Sequence, residues 1–552
     1  MPYDIWWQLA HGQWILEHRR LISSDLFTFT IAGEPYLDKY WFFECLAYGL
    51  YRMLGWNGIE LLRFVLIFGC LLATGFSIRR QPIALLIVLS LPALILLELR
   101  MGPRGYWLGY WLYAPCLRLG ERLKQPERAF WSAWSPLWLL QIAWVNLHGE
   151  FFWGLLIAAA YVAEGLWSER GVERWGHYAA RQCGGFALMA LCCLMNPFGW
   201  ELLLGIYQEA QLVGLRPVSI EWQALWRYAA PLTWFAWLAL AGATAATFVI
   251  SRKSLSLARL ALFLFFCALS LRSLRFVAPM ALISIFAAME NGWSAREFYR
   301  SRDRQMNLFA GFTVCALLIL LWAVGSNRYY HWQKELRRFG GGVITSELPV
   351  SAARMLREAG IEGNFLNPWD DGDYLIWNCW PKIKVAEDGR TAPFPPPLSQ
   401  ALAAIFRGDA AALERFEAQY PIDGAVVPWS YAALMRILAD REDWAMIHIG
   451  PYATVWMRTA SLERQNLSER IIPPDELQRF LVLDPEQAAS EEAWLTYSTY
   501  VYRRANVFYA LRRFDLVRRS ADDLLARNPQ DALGLRLDDA LHRVENTPAE
   551  PQ

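Results

Sequence analysis

Charge is scarce in this sequence: Asp, Glu, Lys and Arg make up 19% of its 552 residues, against roughly 25% in soluble domains. The charges that remain nearly cancel, at a formal net +1, so nothing in the overall balance calls for a nucleic-acid partner. Several signatures of common chemistry are missing as well. The sequence has no Gly-rich loop that would cradle phosphates, no Cys/His spacing of a zinc site and no nucleophile elbow, so nucleotide-dependent and hydrolytic activities have no support. Of the nine cysteines, Cys70, Cys116, Cys183, Cys192, Cys193, Cys267 and Cys315 lie inside apolar runs, where they read as small hydrophobes. Only Cys45 and Cys379 fall clearly outside such runs, and there is no disulfide framework. Met1 is followed directly by a polar and aromatic segment rather than by a signal-peptide pattern.

Hydrophobic residues are abundant. They account for 55% of the chain and aromatics for 15%, with 29 Trp, and the mean hydropathy is +0.17. This composition implies a polytopic membrane protein.

The first fifty or so residues organise the rest. Residues 5–18 read as a short helix with Asp4 at its N-cap. Its apolar face is Ile5, Trp6, Leu9 and Leu16, and its polar face is Asp4, Gln8, His11 and His18. A two-faced helix rich in Trp is expected to lie on a bilayer surface. After the turn Ala32-Gly33-Glu34-Pro35, a second amphipathic segment covers 38–54. Residues 1–57 therefore read as an amphipathic platform that holds carboxylates and histidines at the lipid–water boundary.

Apolar runs at 58–78, 82–99, 106–119, 131–145, 151–166, 183–195, 231–250, 257–271, 274–289 and 307–325 give about ten candidate spans within a 58–326 helical domain, several short for a span of ~20 residues. Basic residues at Arg79-Arg80, 118–128, 170–181, Arg252-Lys253 and 296–304 fall on alternate loops. The positive-inside rule makes those loops cytoplasmic and puts the platform and everything after Gly325 on the outer face. Ten spans leave both ends outside with nothing before Asp4 to anchor the platform, so one more apolar span is expected upstream.

Residues 327–460 mix short β-rich runs (384–386, 424–427, 445–449, 454–457) with helical ones (350–359, 401–407, 410–419), the pattern of a small α/β domain. Residues 393–397 read as a stiff proline loop. The tail, 461–552, is helical, and 505–543 resembles one tetratricopeptide-type hairpin, a surface for a protein partner. The fold class is thus an α-helical polytopic membrane protein with a C-terminal extracytoplasmic α/β domain and helical tail.

This topology gathers the unusual polar residues on the outer face. They are Asp4, His11, Asp25, Asp38, Lys39 and Glu44 from the platform, and Arg100, Arg104, Asn146, His148, Glu150, Asn196, Glu221, Arg272 and Arg275 from the loops. The α/β domain adds Asn367, Asp370, Asp371, Asp373, Glu387, Asp388 and Arg390. Ionisable groups at membrane depth are costly and mark functional sites, although any outer loop must be polar. Asn146 and His148, between two apolar runs, line a cavity or make an interhelical hydrogen bond. Arg272 and Arg275, one turn apart, suit a phosphate, or one of them snorkels to the interface. Asp370 or Asp371 caps a helix over 373–380 or takes part in chemistry.

Taken together, certain segments resemble bacterial polytopic membrane proteins of the glycosyltransferase C superfamily. These are Asp4-Ile5-Trp6-Trp7-Gln8-Leu9-Ala10-His11-Gly12, Asp25-Leu26-Phe27-Thr28-Phe29-Thr30, Trp41-x-x-Glu44, Asn146-x-His148-Gly149, Asn196-Pro197-Phe198-Gly199, Glu221-Trp222, Arg272-x-x-Arg275-Phe276, Asn367-Pro368-x-Asp370-x-Gly372-x-Tyr374-Leu375 and Asp388-Gly389-Arg390. The resemblance implies an enzyme of the bacterial cytoplasmic membrane that takes a sugar from a polyprenyl-phosphate carrier on the outer face. A carboxylate of the first outer loop would act as base; Asp4, His11, Asp25 and Glu44 are the catalytic candidates. Arg100, Arg104, Asn146, His148, Asn196, Glu221, Arg272, Arg275, Asp370, Asp371, Asp388 and Arg390 are the substrate-binding ones. No cofactor or metal site is assigned, and a divalent cation is compatible with the resemblance. Two departures stand out: the family has a membrane helix before the platform, and many members carry an acidic residue just upstream of the Asp4 position, where this chain has Pro2 and Tyr3. The rival expectations are a non-catalytic scaffold for envelope-polysaccharide or glycoprotein assembly and, less supported because no internal repeat of the transporter kind is seen, a lipid or glycan translocator.

Overall fold

The computed structural model describes residues 4–78, 82–171, 173–212, 220–227, 231–332, 339–340, 347–390, 393–480 and 491–546. Arg79 and Arg80, one of the expected cytoplasmic basic pairs, lie outside these residues. Two platform helices come first, α1 (Ile5–His18) and α2 (Trp41–Leu54). A helical bundle follows: α3 (Trp56–Ser77), α4 (Ile83–Glu98), α5 (Tyr106–Gly120), α6 (Phe130–Leu147), α7 (Phe152–Ser168), α8 (Trp175–Cys192), α9 (Trp200–Leu212), α10 (Pro231–Ile250), α11 (Leu257–Arg272), α12 (Val277–Ser294), the short α13 (Arg296–Arg300) and α14 (Asp303–Gly325). Each apolar run read from the sequence is a helix in the structure. Among the described residues, four segments are long and apolar enough to cross a membrane: Trp56–Ser77, Pro231–Ile250, Leu274–Ser294 and Asp303–Gly325, with Ile83–Glu98 and Phe152–Ser168 as shorter apolar helices. Their roles differ. The Leu274–Ser294 span is 89% buried and forms the axis of the bundle, whereas Asp303–Gly325 is 11% buried and turns Phe309, Phe312, Leu318 and Leu321 outward. A helix apolar all round is either a core helix or one that faces lipid, and this chain contains both kinds.

The bundle has two polar ends. At one, Arg118 donates to Glu290 and to the Ser77 carbonyl, while Lys124, Glu164, Glu121 and Arg259 form a second linked set. Two of the basic loops meet there. The other end carries Asp4, Arg100, Arg104, His148, Glu150, Glu221 and Arg275.

After α15 (Arg328–Trp332) the α/β domain begins with α16 (Val350–Glu358). It continues through β1 (Gly363–Leu366), α17 (Trp369–Cys379), β2 (Ile383–Val385), α18 (Pro396–Phe406), α19 (Ala410–Gln419), β3 (Gly424–Pro428), α20 (Ala432–Ala439), β4 (Trp444–Ile449), β5 (Ala453–Arg458) and α21 (Thr459–Arg464). The sheet has five strands in the order β2-β1-β3-β5-β4. β1 is parallel to β2 and β3, and β5 is antiparallel to β3 and β4. β1 is absent from the sequence reading: its four residues, Gly-Asn-Phe-Leu, are too few to show a period. The expected proline loop instead opens α18, with Pro395 at the N-cap and Pro396 at the first helical position, where a missing N–H costs nothing.

Alternation along the strands sends side chains to two cores. Phe365, Val385, Val426 and Val455 face a core shared with α1, α2 and the bundle. Leu366, Ala425, Val427 and Trp456 face a second core built with α18 to α20 and with the tail helices α22 (Glu491–Ala510), α23 (Phe514–Arg527) and α24 (Ala532–Asn546). The α/β domain is therefore seated on the platform, with no gap between their cores. The contact extends to the backbone. Thr28 bridges Val385 in parallel, Phe29 N–H donates to the Val385 carbonyl at 3.1 Å, and Val385 N–H donates to the Phe27 carbonyl at 3.3 Å.

This seating corrects the expectation for α1. Its predicted bounds and observed bounds coincide, but Trp6, Trp7, Gln8, Leu9, His11, Trp14 and Ile15 are all buried while Leu16 is exposed. The helix is a spacer between bundle and α/β domain, covered on both sides, and not a ribbon lying on a bilayer. Trp6 packs edge-on against Trp56 below and Tyr374 of α17 above, at 4.9 and 4.7 Å. Gly12 permits the closest approach: a Cβ there would collide with the Glu44 carbonyl of α2.

Candidate active site at the platform

Asp4 opens α1 in helical geometry (φ −57°, ψ −25°), and its side chain makes no capping hydrogen bond. Asp4 thus stands at the expected N-cap position, but without the expected cap bond. The carboxylate turns instead to Arg104, on the loop between α4 and α5, with Oδ2 3.3 Å from Nη1. Arg104 also donates to Glu221 on the loop before α10, and Arg100 Nη1 meets the other Glu221 oxygen at 2.8 Å. The Arg100 carbonyl accepts from Tyr106 Oη at 2.6 Å and Trp107 Nε1 at 2.9 Å, so aromatic side chains of α5 hold the arginine loop in place.

A second arm joins from the bundle. Arg275 Nε donates to Glu150 at 3.0 Å, and its guanidinium stacks over Trp222 at 4.8 Å. Glu150 Oε2 lies 4.0 Å from His148 Nδ1, whose ring packs against Tyr40 at 5.5 Å. Lys39, next to Tyr40, pairs with Glu209 of α9. The network is graded in exposure. Arg100, His148 and Glu150 are sealed, with side chains 5%, 3% and 5% exposed, whereas Asp4 and Glu221 keep 31% and 28% of theirs open. Buried ion pairs support a rim that solvent, and so a ligand, can reach.

Electrostatics separates the two carboxylates that share Arg104. Burial lifts Asp4 above the ordinary aspartate range, against the pull of Arg104. Burial also acts on Glu221, but Arg104 and Arg100 outweigh it and hold that group well below the usual range. Environments that drive two neighbouring carboxyls apart mark a division of labour: Glu221 is a fixed anion that orients the arginines, and Asp4 is the more basic group. From the α/β domain, burial raises Asp373, and the Asp388 and then the Asp4 charge add to it. The first turn of α17 thus lies beside the same site.

Several candidates take other roles. Burial holds His148 down at about 4, and its Nδ1 accepts from the Glu150 N–H at 3.2 Å. It is a neutral acceptor at physiological pH and not a cation for a phosphate. Arg272 is exposed at the end of α11 and does not join Arg275. Asn146 donates to the Ile142 and Met195 carbonyls, both at 2.8 Å, and Asn196 closes a turn onto Cys193, Phe198 and Gly199. Both amides are structural ties. Asp370 and Asp371 lie within the first turn of α17, which starts at Trp369 after the N-cap residue Pro368, and neither caps it.

Asp25, Asp388 and Arg390 form a sealed clamp in place of a substrate site. Their side chains are 0% exposed. Arg390 meets Asp388 at 2.6 and 2.8 Å and also bonds Asp25, and Asp25 accepts from Thr28 N–H at 3.0 Å and Oγ1 at 2.7 Å. The clamp joins platform to α/β domain.

His11 and Glu44, expected as catalytic, are likewise 0% exposed, and they form a third cluster with Asp38. His11 Nδ1 is 3.5 Å from Glu44 Oε2 and 3.7 Å from Asp38 Oδ2. Both ring nitrogens, both Glu44 oxygens and Asp38 Oδ2 have no hydrogen-bond partner among the described residues. Each such buried orphan costs about 1–3 kcal/mol. Among the described residues, this is the group of side chains whose donor atoms are close enough to hold a metal ion. Sequence reasoning overlooked Glu209, and it named Glu150 without assigning it a role; an acid beside His148 between two apolar runs was a usable signal for the latter.

No protein-family model and no curated protein sequence matches the chain. Among solved structures, it is similar to the apo crystal structure of the oligosaccharyltransferase from Archaeoglobus fulgidus, with 13% identity and a TM-score of 0.48, over 79% of this chain and 67% of that one.

Proposed function

We propose that the chain is a membrane glycosyltransferase that moves a sugar from a polyprenyl-phosphate donor to an acceptor hydroxyl on the outer face of a bacterial cytoplasmic membrane. The observation that carries this reading is the open rim of Asp4, Arg104, Glu221 and Arg275 on its sealed base. Inverting transfer needs a base at the acceptor and cations at the departing phosphate. Asp4 takes the proton of the acceptor hydroxyl as that oxygen bonds to the anomeric carbon. Arg104 and Arg275, whose forked guanidinium groups match phosphate oxygens, receive the charge of the leaving lipid phosphate as its bond to the sugar breaks. Glu221 and Glu150 keep the two arginines aimed while the site is empty. The lipid tail lies among the spans, ten in this reading, that place the platform and the α/β domain outside.

The test is transfer by the purified, reconstituted protein from a polyprenyl-phosphate-linked, isotopically labelled sugar. Product that depends on Arg275 supports the reading. Lipid-sugar binding without turnover under all acceptor conditions would favour a scaffold for polysaccharide or glycoprotein assembly, with the tail helices as its partner surface.

A further inference from the structure

The His11, Asp38 and Glu44 cluster is separate from the Asp4 network and has no part in the proposed transfer. Its three side chains come from α1, from the loop before α2 and from α2 itself, and all are fully buried. Their donor atoms lie within 4.8 Å of one another. An ion with bonds of ~2.1 Å in tetrahedral geometry separates its ligand atoms by ~3.4 Å. The observed separations from His11 Nδ1, 3.5 and 3.7 Å, are close to that edge and too long for hydrogen bonds. Charge agrees with geometry. Two carboxylates and a neutral imidazole would be balanced by one divalent cation, and Arg390, the nearby cation, is already committed to Asp388 and Asp25. The donor set also sorts the metals. Calcium and magnesium prefer all-oxygen shells, whereas an imidazole with carboxylates suits zinc and its first-row neighbours. Supporting contacts orient the ligands: Tyr40 N–H donates to Asp38 Oδ1 at 3.2 Å, and the His11 ring stacks on Phe27 at 5.0 Å.

We propose that His11, Asp38 and Glu44 form a binding site for one divalent transition-metal ion, zinc foremost, which staples α1 to α2 and fixes the platform. Because the cluster is sealed, the ion is structural and enters as the platform folds.

The test uses the full chain purified in detergent without chelators from zinc-supplemented medium. Elemental mass spectrometry should find about one transition metal per chain, and X-ray absorption at its edge should show nitrogen and oxygen neighbours only. Stripping with a strong chelator should lower the melting temperature, and added zinc should restore it. His11→Gln and Glu44→Gln should lose the metal and the response to zinc. Trace metal only, a sulfur shell, or variants that keep full metal would each overturn the proposal. If the variants do not fold, the wild-type metal content and shell decide. None of these readouts depends on sugar transfer, so the site stands or falls apart from the proposed activity.

Discussion

Arg104 Nη1 lies 3.3 Å from Asp4 Oδ2, and the same guanidinium also holds Glu221. One arginine, on the loop between α4 and α5, thus joins the start of α1 to the loop before α10. The Asp4 side chain turns to this contact from the N-cap position of α1 without making the usual cap bond, worth ~1 kcal/mol.

Arg275→Lys retains a charge near Glu150 but loses the fork and the stacking on Trp222. The expected outcome is a folded protein with turnover reduced on the order of 100-fold, chiefly in kcat, because the phosphate charge develops as the bond breaks. Steady-state kinetics with the lipid-linked donor checks this. A change confined to KM would make Arg275 a ground-state binding residue.

Asp25 separates the clamp from the chemistry. Asp25→Ala leaves Arg390 buried with one partner fewer and removes the acceptor of Thr28; breaking a buried pair costs about 3–5 kcal/mol. Thermal melting should show a large loss of stability, together with easier proteolysis between platform and α/β domain. Unchanged melting with lost activity would return Asp25 to the list of catalytic candidates.

His148 gives a pH signature. Its native value, about 4, lies below the unfolded value near 6.5. Between the two, the unfolded chain binds the proton that the native chain refuses. Stability therefore rises with pH across that window and is lost as pH falls through it, by up to about 3 kcal/mol for this group. Glu150, held low by Arg275 and His148 against the effect of burial, acts in the same direction. Melting curves at pH 4.5 and 7.5 should differ less in His148→Asn than in wild type. An equal difference in both would mean that His148 titrates normally.

The sequence reveals much of this architecture and little of its contacts. Helix 5–18 was legible to the residue because Asp4 begins it and the aromatic pattern runs through it. The two-sided burial of the helix was not, since it depends on α17 and β2 arriving from more than 300 residues away. Arg104 and Glu221 were both singled out as outer-loop charges, but their pairing links loops 117 positions apart. The burial of Asp25 and Glu44 was not legible for one reason: an acidic residue in an outer segment looks the same whether it lines a cleft or is sealed under a domain. Asn146 and Asn196 share that ambiguity, because an amide that ties off backbone carbonyls carries no signature in its neighbours.

The two polar ends of the bundle make a topological prediction. A reporter fused after residue 546 should be active outside the cytoplasm, and one in the 118–128 loop inside, because the loops rich in Arg and Lys stay with the cytoplasm. A C-terminal reporter active only in the cytoplasm would place the Asp4 network on the wrong side for the proposed donor.

Asp4→Asn, assayed for sugar transfer from a polyprenyl-phosphate-linked donor, separates a base at Asp4 from a carboxylate that only holds Arg104. The amide retains the size of the side chain and a hydrogen-bonding oxygen for Arg104, but it cannot take a proton. The variant is expected to fold and melt like wild type and to bind the donor, with transfer reduced on the order of 100-fold or more. Near-normal transfer by Asp4→Asn would contradict this, since the network would then have no base at Asp4.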